Sequence, residues 1–150
     1  APIKTQTISG KIASAGNETE DVKIEVVKKD EDVIFTSQNL KGNLVNYNFN
    51  IPFGNYILRV SKKNHVTREY EISVNNSSVT QDIQIALIGD INGDGKVNIK
   101  DWNRLYSHVN ETNLLTGYEL LCADVNKDGK VNTKDWNRVY DHINETNPLW

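Results

Sequence analysis

A stretch that the chain carries twice limits what it can fold into more than any other feature. Residues 90–101 read DINGDGKVNIKD and residues 124–135 read DVNKDGKVNTKD, each closing on the tetrapeptide DWNR. Each stretch places oxygen-bearing side chains at positions 1, 3, 5, 9 and 12 of a twelve-residue segment, with glycine at 6. An EF-hand loop wraps a hard cation with this spacing. In the first copy Asp90, Asn92 and Asp94 supply positions 1, 3 and 5, Lys96 offers its backbone carbonyl at 7, Asn98 serves 9 and Asp101 closes at 12. Asp124, Asn126, Asp128, Lys130, Asn132 and Asp135 repeat the set. All donors are oxygens, which suit Ca2+ and exclude a thiolate or imidazole site for zinc. Gly95 and Gly129 permit the sharp turn that a β-carbon would disfavour. Two bound Ca2+ ions are therefore expected.

The duplication runs past the loops. Between residues 90–113 and 124–147, a period of 34, 18 of 24 positions are identical, including Trp-Asn-Arg, Tyr106 with Tyr140, His108 with His142, and the closing NETN. Two departures from an EF-hand matter. Position 12 is Asp, one methylene shorter than the Glu of calcium sensors, and no helix precedes the first loop, where the strand-like IQIALIG runs into Asp90. Each copy is thus half an EF-hand, a loop followed by a helix, expected over 99–110 and 133–144. At 100° per residue Trp102, Leu105 and Val109 form one stripe and Trp136, Val139 and Ile143 its counterpart, and these should pack the helices together. Asn103, Tyr106, Ser107 and Asn110 flank the first stripe, matched by Asn137, Tyr140, Asp141 and Asn144, and such a flank is suited to docking. Leu114, Leu115, Tyr118, Leu120 and Leu121 suit a short linker helix between the copies. The chain ends Pro148-Leu149-Trp150, and the terminal tryptophan either clasps back near the start of the first loop or is disordered.

Residues 1–87 alternate and turn like a small all-β domain. Candidate strands are 4–13, 22–29, 32–37, 44–51, 55–62, 67–74 and 79–87. Val22, Ile24 and Val26; Tyr56 and Val60 with Leu58 or Ile57; and Ile83, Ile85 and Leu87 show the period of two of a sheet with one buried face. Seven short strands predict a two-sheet sandwich. Its six aromatics, Phe35, Tyr47, Phe49, Phe53, Tyr56 and Tyr70, are read as core, with sugar stacking as the alternative if several lie exposed on one face. His65 is read as an inert surface histidine in a turn, and Lys62-Lys63 as solvated. Cys122, the only cysteine, rules out an internal disulfide and reads as a buried small hydrophobe.

Charge supports the division into 1–87 and 88–150. The first segment balances ten acidic with ten basic residues, whereas the second holds ten acidic and seven basic, so the net −3 is all C-terminal. Six of those ten carboxylates are loop ligands, so the acidity belongs to cation sites. No basic stripe suggests nucleic acid. No apolar run approaches the roughly 18 residues that span a bilayer, and no basic-then-apolar leader opens at Ala1, so a mature protein or an excised piece of a longer one is expected, without membrane insertion.

These features carry two resemblances. The duplicated loop-helix segment of 88–150 looks like a dockerin, the module that plugs secreted enzymes and scaffoldins into cohesin domains. Residues 47–74, with a proline-glycine turn between an alternating aromatic strand and GNYILRV, resemble prealbumin-like and carboxypeptidase-regulatory-like sandwiches, which are structural modules. A β module abutting a dockerin further resembles the X-module-dockerin pairs of cellulosome-type assemblies. The implied architecture is multidomain: a seven-stranded Ig-like or prealbumin-like β-sandwich, then an all-α dockerin with two calcium-loop-helix repeats and a linker helix.

The dockerin resemblance implies a secreted, non-enzymatic protein, monomeric when free. Its partner would be a cohesin of a scaffoldin or cell-surface protein. Dockerins choose partners mainly through loop positions 10 and 11 and helix residues a turn and a half later, here Ile99, Lys100, Tyr106 and Ser107, and Thr133, Lys134, Tyr140 and Asp141, with Asn103 and Asn137 on the same flank. Family precedent allows two binding orientations, and the Ile99/Thr133 and Ser107/Asp141 differences make the two faces inequivalent. The rival reading is a carbohydrate- or surface-binding sandwich with a structural calcium tail. A calcium sensor is disfavoured because the chain has no methionine to line a peptide groove. Catalysis is disfavoured because EF-hand spacing accounts for the paired carboxylates Asp90 and Asp94.

Overall fold

The structure, a computed structural model, describes residues 3–150; the chain start at Ala1, where a leader was sought, lies outside them. Two compact units divide the chain. One takes the residues up to Lys63 together with Thr67–Ile85, and the other takes Asn64–Val66 together with Ala86–Trp150.

The first unit is a pair of four-stranded sheets. Strands β1 (Thr5–Ala13), β2 (Asp21–Lys28), β3 (Val33–Lys41), β4 (Leu44–Pro52), β5 (Gly54–Lys62), β6 (Arg68–Val74), β7 (Val79–Thr80) and β8 (Ile83–Gln84) follow in order. One sheet runs β3-β2-β5-β6; the other runs β4-β1-β7, with β8 also on β1. Alternation builds the core between them. Along β4, Tyr47, Phe49 and Ile51 are buried while Asn46, Asn48 and Asn50 are exposed, as a period of two requires of a half-buried strand. Ile8 and Ile12 of β1, Val22, Ile24 and Val26 of β2, and Tyr56, Leu58 and Val60 of β5 complete one cluster with Ile72, Val74, Ile83 and Ile85. Leu58, not Ile57, faces inward.

The seventh expected strand is split into β7 and β8. Both run parallel to β1 with unbroken register, Ser9 opposite Thr80 and Ile12 opposite Ile83. Between them the ladder is completed partly by a side chain: the Lys11 amide donates to the Asp82 carboxylate at 3.0 Å. The Tyr47 hydroxyl donates to the Gln81 carbonyl at 2.5 Å. A β-carbon at Gly10 would lie 2.1 Å from that carbonyl oxygen, so glycine is what lets the two backbones meet. In β3 a bulge opposite Val26 and Val27 leaves Phe35 without a partner in the ladder.

Three readings of this half are corrected. Lys62 is buried, 7% exposed, and its ammonium donates to Ser14 Oγ at 3.0 Å, the Ala15 carbonyl at 3.1 Å and Asn43 Oδ1 at 2.7 Å. Those three acceptors replace water around the charge. His65 is also buried, because the 64–66 segment packs into the second unit and forms a bridge with Leu87. Leu87 accordingly leaves the strand pattern that Ile83 and Ile85 keep.

The second unit holds α1 (Ile99–Val109), α2 (Tyr118–Ala123) and α3 (Thr133–Ile143), close to the expected helices. Leu105 and Val139, both fully buried, meet Ile91, Leu115 and Ala123 in its core. Val109 and Ile143 pack against that core half-buried. A smaller cluster joins Cys122, 1% exposed, to Val66 and Ala86.

Candidate metal loops and docking face

In both loops the three aspartates converge. Carboxylate oxygens of Asp90, Asp94 and Asp101 lie within 4.8 Å of one another, as do those of Asp124, Asp128 and Asp135. The loop backbone holds them there. Asp90 accepts from the amides of Gly93 at 3.0 Å and Gly95 at 2.8 Å, and Asp124 accepts from Asp128 at 3.2 Å and Gly129 at 3.0 Å. Lys96 and Lys130 donate their amides to Asp94 and Asp128. Asn92 and Asn126 accept from the amides of Asp94 and Asp128. Gly95 and Gly129 sit at φ +89° and +84°, in the left-handed region that favours glycine.

The closing aspartates tie each loop to its helix. Asp101, fully buried, accepts from Asn92 at 3.1 Å and Asn98 at 3.0 Å; Asp135 does the same with Asn126 and Asn132. Asn98 and Asn132 are the helix N-caps, their side chains accepting from the amides of Lys100 and Lys134 at 3.0 Å. Cap and aspartate form a complete capping box in both copies. Positions 9 and 12 of the loop therefore also start the helix, a second task that ligand spacing alone does not reveal.

Three carboxylates this close repel one another and resist ionising when buried. Burial, aided by Asp101 and Asp94, pushes the Asp90 carboxyl up from 3.8 to about 6, against the opposing bonds from Gly95 and Gly93. Asp101 and Asp135 are raised as well, burial again leading. Asp128, fully exposed, is lowered, chiefly by the Lys130 amide. Clusters of oxygen donors that include carboxyls whose ionised form is disfavoured without a counter-charge, Asp90 and Asp101 in one loop and Asp135 in the other, fit a divalent hard cation.

The helices present an aromatic face. Trp102 and Trp136 stack at 4.7 Å between centroids and 15° between planes, half-buried, as a pair joining α1 to α3. Tyr106 approaches Trp136 at 5.6 Å and Tyr140 approaches Trp102 at 5.9 Å, so each tyrosine reaches across to the opposite copy. Both tyrosines remain about half exposed, 48% and 52%, as does Ile99. Lys100, Thr133, Lys134, Asn103 and Asn137 are exposed beside them, and Ser107 and Asp141 are half-buried. Of the six sandwich aromatics read as core, Tyr47, Phe49 and Tyr56 are buried and Tyr70 is half-buried, whereas Phe35 and Phe53 are exposed, against that reading, on a cleft of about 290 Å3. That pair is no line of rings across a sheet face.

The copied residues without an assigned role prove to be fasteners. Arg104 donates to the carbonyls of Asn113 at 2.6 Å and Leu114 at 3.3 Å, and the Leu115 amide donates to His108 Nδ1 at 2.9 Å. In the second copy Arg138 donates to the carbonyls of Asn147 and, at 2.7 Å, Pro148, and the Leu149 amide donates to His142 Nδ1 at 2.9 Å. Leu115 is thereby set in the core. A β-carbon on Gly89 would lie 2.9 Å from the Leu149 side chain, and Trp150 packs on His142 at 4.8 Å. The terminal tryptophan thus packs on α3, and the residue that lies at the start of the first loop is Leu149. The signal for these fasteners was the identity of Arg, His and NETN in both copies.

No curated protein matches the chain. Its fold is similar to crystal structures of two interface mutants of a type II cohesin-X-dockerin complex from Acetivibrio cellulolyticus. Each is 17% identical over 91% of this chain and 94% of that one, with TM-scores of 0.41 and 0.42. It is also similar to the major pilin subunit of Bacillus cereus, 13% identical over 55% of this chain and 29% of that one, at a TM-score of 0.38. At these scores the likenesses carry no assignment of their own. The dockerin type I domain family matches residues 88–144, which span both loops and both long helices.

Proposed function

We propose that the chain is a calcium-dependent docking module, 88–150 binding a cohesin and 1–87 serving as a stabilising spacer of the X-module kind. The reading rests on one observation above the others: the dockerin family match falls on two loops whose aspartates converge and whose last two side-chain ligands form the capping box of a helix. Asp90, Asn92, Asp94, Lys96, Asn98 and Asp101 hold one Ca2+, and Asp124, Asn126, Asp128, Lys130, Asn132 and Asp135 the other. The ions neutralise the carboxylate clusters and fix the loops, which orients α1 and α3. At a free concentration of 100 times Kd each ion stabilises the unit by about 2.7 kcal/mol.

The partner meets the aromatic face. Tyr106 and Tyr140 are its anchors, with Ile99, Lys100, Ser107, Asn103, Thr133, Lys134, Asn137 and Asp141 around them, since exposed tyrosine on a rigid helix offers large contact area with little entropy to lose. The module is not itself an enzyme; it attaches its parent protein to an extracellular scaffoldin or cell surface. Among the described residues no helix is long and apolar enough to cross a membrane. Titrating the chain against a panel of cohesins, with Ca2+ and with excess EDTA, tests the proposal. In chelator, cohesin binding should vanish and C-terminal helicity should fall; undiminished cohesin binding there would sink it.

A further inference from the structure

The two histidine fasteners point to a regulated property. In each, Nδ1 of the imidazole receives a backbone amide at 2.9 Å, which only an unprotonated nitrogen can do. Both neutral rings must therefore carry their proton on Nε2. Protonation turns the acceptor into a donor aimed at another donor, and the bond is replaced by repulsion.

The surroundings amplify the change. Four residues before each histidine on its own helix stands the arginine that grips the same segment, Arg104 or Arg138. Exposed Glu111 and Glu145 follow three residues later, and residues 113–115 and 147–150, packed on the rings, carry no ionisable side chain. Burial first, then the Arg138 charge, holds the His142 imidazole below its usual basicity. What each clasp secures differs. His108 fixes Leu115 in the core, whereas His142 fixes the tail whose Leu149 lies against Gly89, next to the first ligand, Asp90.

We propose that His108 and His142 are acid-labile clasps, and that protonation of their rings frees residues 112–115 and 146–150 from the helices that hold them. The tail is the more readily freed, since Leu149 is only half-buried while Leu115 is fully buried. If the chain docks as proposed above, acid would loosen the tail beside the first loop and weaken docking. The clasps themselves do not depend on that reading.

The test is amide hydrogen exchange by NMR on the whole chain in saturating Ca2+, from about pH 7.5 to about pH 5. Protection of the Leu115 and Leu149 amides, corrected for intrinsic exchange, should fall about fivefold, more at Leu149 than at Leu115, as one hydrogen bond of order 1 kcal/mol is lost. Nitrogen shifts of both imidazoles should show the Nε2-protonated tautomer at the upper pH, a readout that needs no variant. In His108→Asn and His142→Asn an amide oxygen takes the place of Nδ1 and does not titrate, so the acid-dependent loss should disappear. Protection that is unchanged by pH, an equal loss in the asparagine variants, or the Nδ1-protonated tautomer would each overturn the proposal. Should an asparagine variant fail to fold, the tautomer and the native pH series decide alone. Cohesin affinity measured over the same pH range separates the two readings: clasps that open without any change in docking leave the clasp standing and remove only its link to the partner.

Discussion

Asparagine at position 90 should make the metal-free protein more stable near neutral pH and the calcium-loaded protein less stable. Asp90 is 1% exposed, and in the folded chain its carboxyl is raised from 3.8 to about 6, chiefly by burial. A folded-state value above the unfolded one means that the folded state binds the proton more tightly. This contribution is fully present below about pH 4 and is lost as pH rises through about 6. Two units at about 1.4 kcal/mol each make the loss close to 3 kcal/mol. Asparagine never ionises, so it avoids that loss. It does present an NH2 group to one of the two amides, Gly93 or Gly95, that Asp90 accepts, a penalty of about 1–2 kcal/mol. The avoided cost of ionisation outweighs that penalty, leaving a net gain of about 1 kcal/mol in chelator near pH 7. With calcium the sign reverses, because a charged ligand is gone and with it up to about 2.7 kcal/mol of linkage at 100 times Kd.

Urea unfolding followed by tryptophan fluorescence measures this cleanly, since Trp102, Trp136 and Trp150 all lie in the C-terminal unit. Comparing native and Asp90→Asn chains in EDTA across about pH 4.5–7.5 isolates one carboxyl from its neighbours. An asparagine variant less stable than the native chain in EDTA near neutrality would refute the reasoning. So would a stability difference that does not change with pH.

Other substitutions test the frame around the loops. Leu105→Ala, at a fully buried core position, should destabilise the C-terminal unit by about 3 kcal/mol in urea unfolding. Glu111 and Glu145 occupy the left-handed position after α1 and α3, at φ +61° and +59°, where the amides of Thr112 and Thr146 return to Ser107 and Asp141. Glycine at either should therefore stabilise by up to about 1 kcal/mol, seen as a higher urea midpoint. Gly10→Ala, whose β-carbon would meet the Gln81 carbonyl, should destabilise the sandwich by about 1–3 kcal/mol, read as a lower-temperature transition in calorimetry.

The parts legible in the sequence were those with a strict period. Twelve-residue ligand spacing gave the aspartates that converge, the helical stripe gave Leu105 and Val139, and strand alternation gave Tyr47, Phe49 and Ile51. Roles that depend on distant backbone were not legible. Lys62 looks like any surface lysine until Ser14, Ala15 and Asn43 surround its ammonium. His65 follows a turn-like Asn64 yet is buried, because what covers it lies more than 20 residues away in sequence. Arg104 and His108 are marked in the sequence only by their repetition as Arg138 and His142, since their partners are backbone groups, which every sequence possesses and none advertises. The split of the last strand at Gln81 and Asp82 likewise depends on Asp82 reaching a Lys11 amide 71 residues away.

The three residues Asn64–Val66 have a consequence for how such a protein can be cut and rejoined. The Tyr118 hydroxyl donates to the Val66 carbonyl and accepts the Ala86 amide, and Val66 donates back to Ala86 at 2.8 Å. A cut at the end of the sandwich therefore does not release the C-terminal unit whole: a fragment beginning after residue 87 loses both of those hydrogen bonds and the packing of Val66 with Cys122. A gene fusion or recombination event that transplants the proposed docking function intact has to carry the stretch from residue 64 onward, and strands β6, β7 and β8 travel with it.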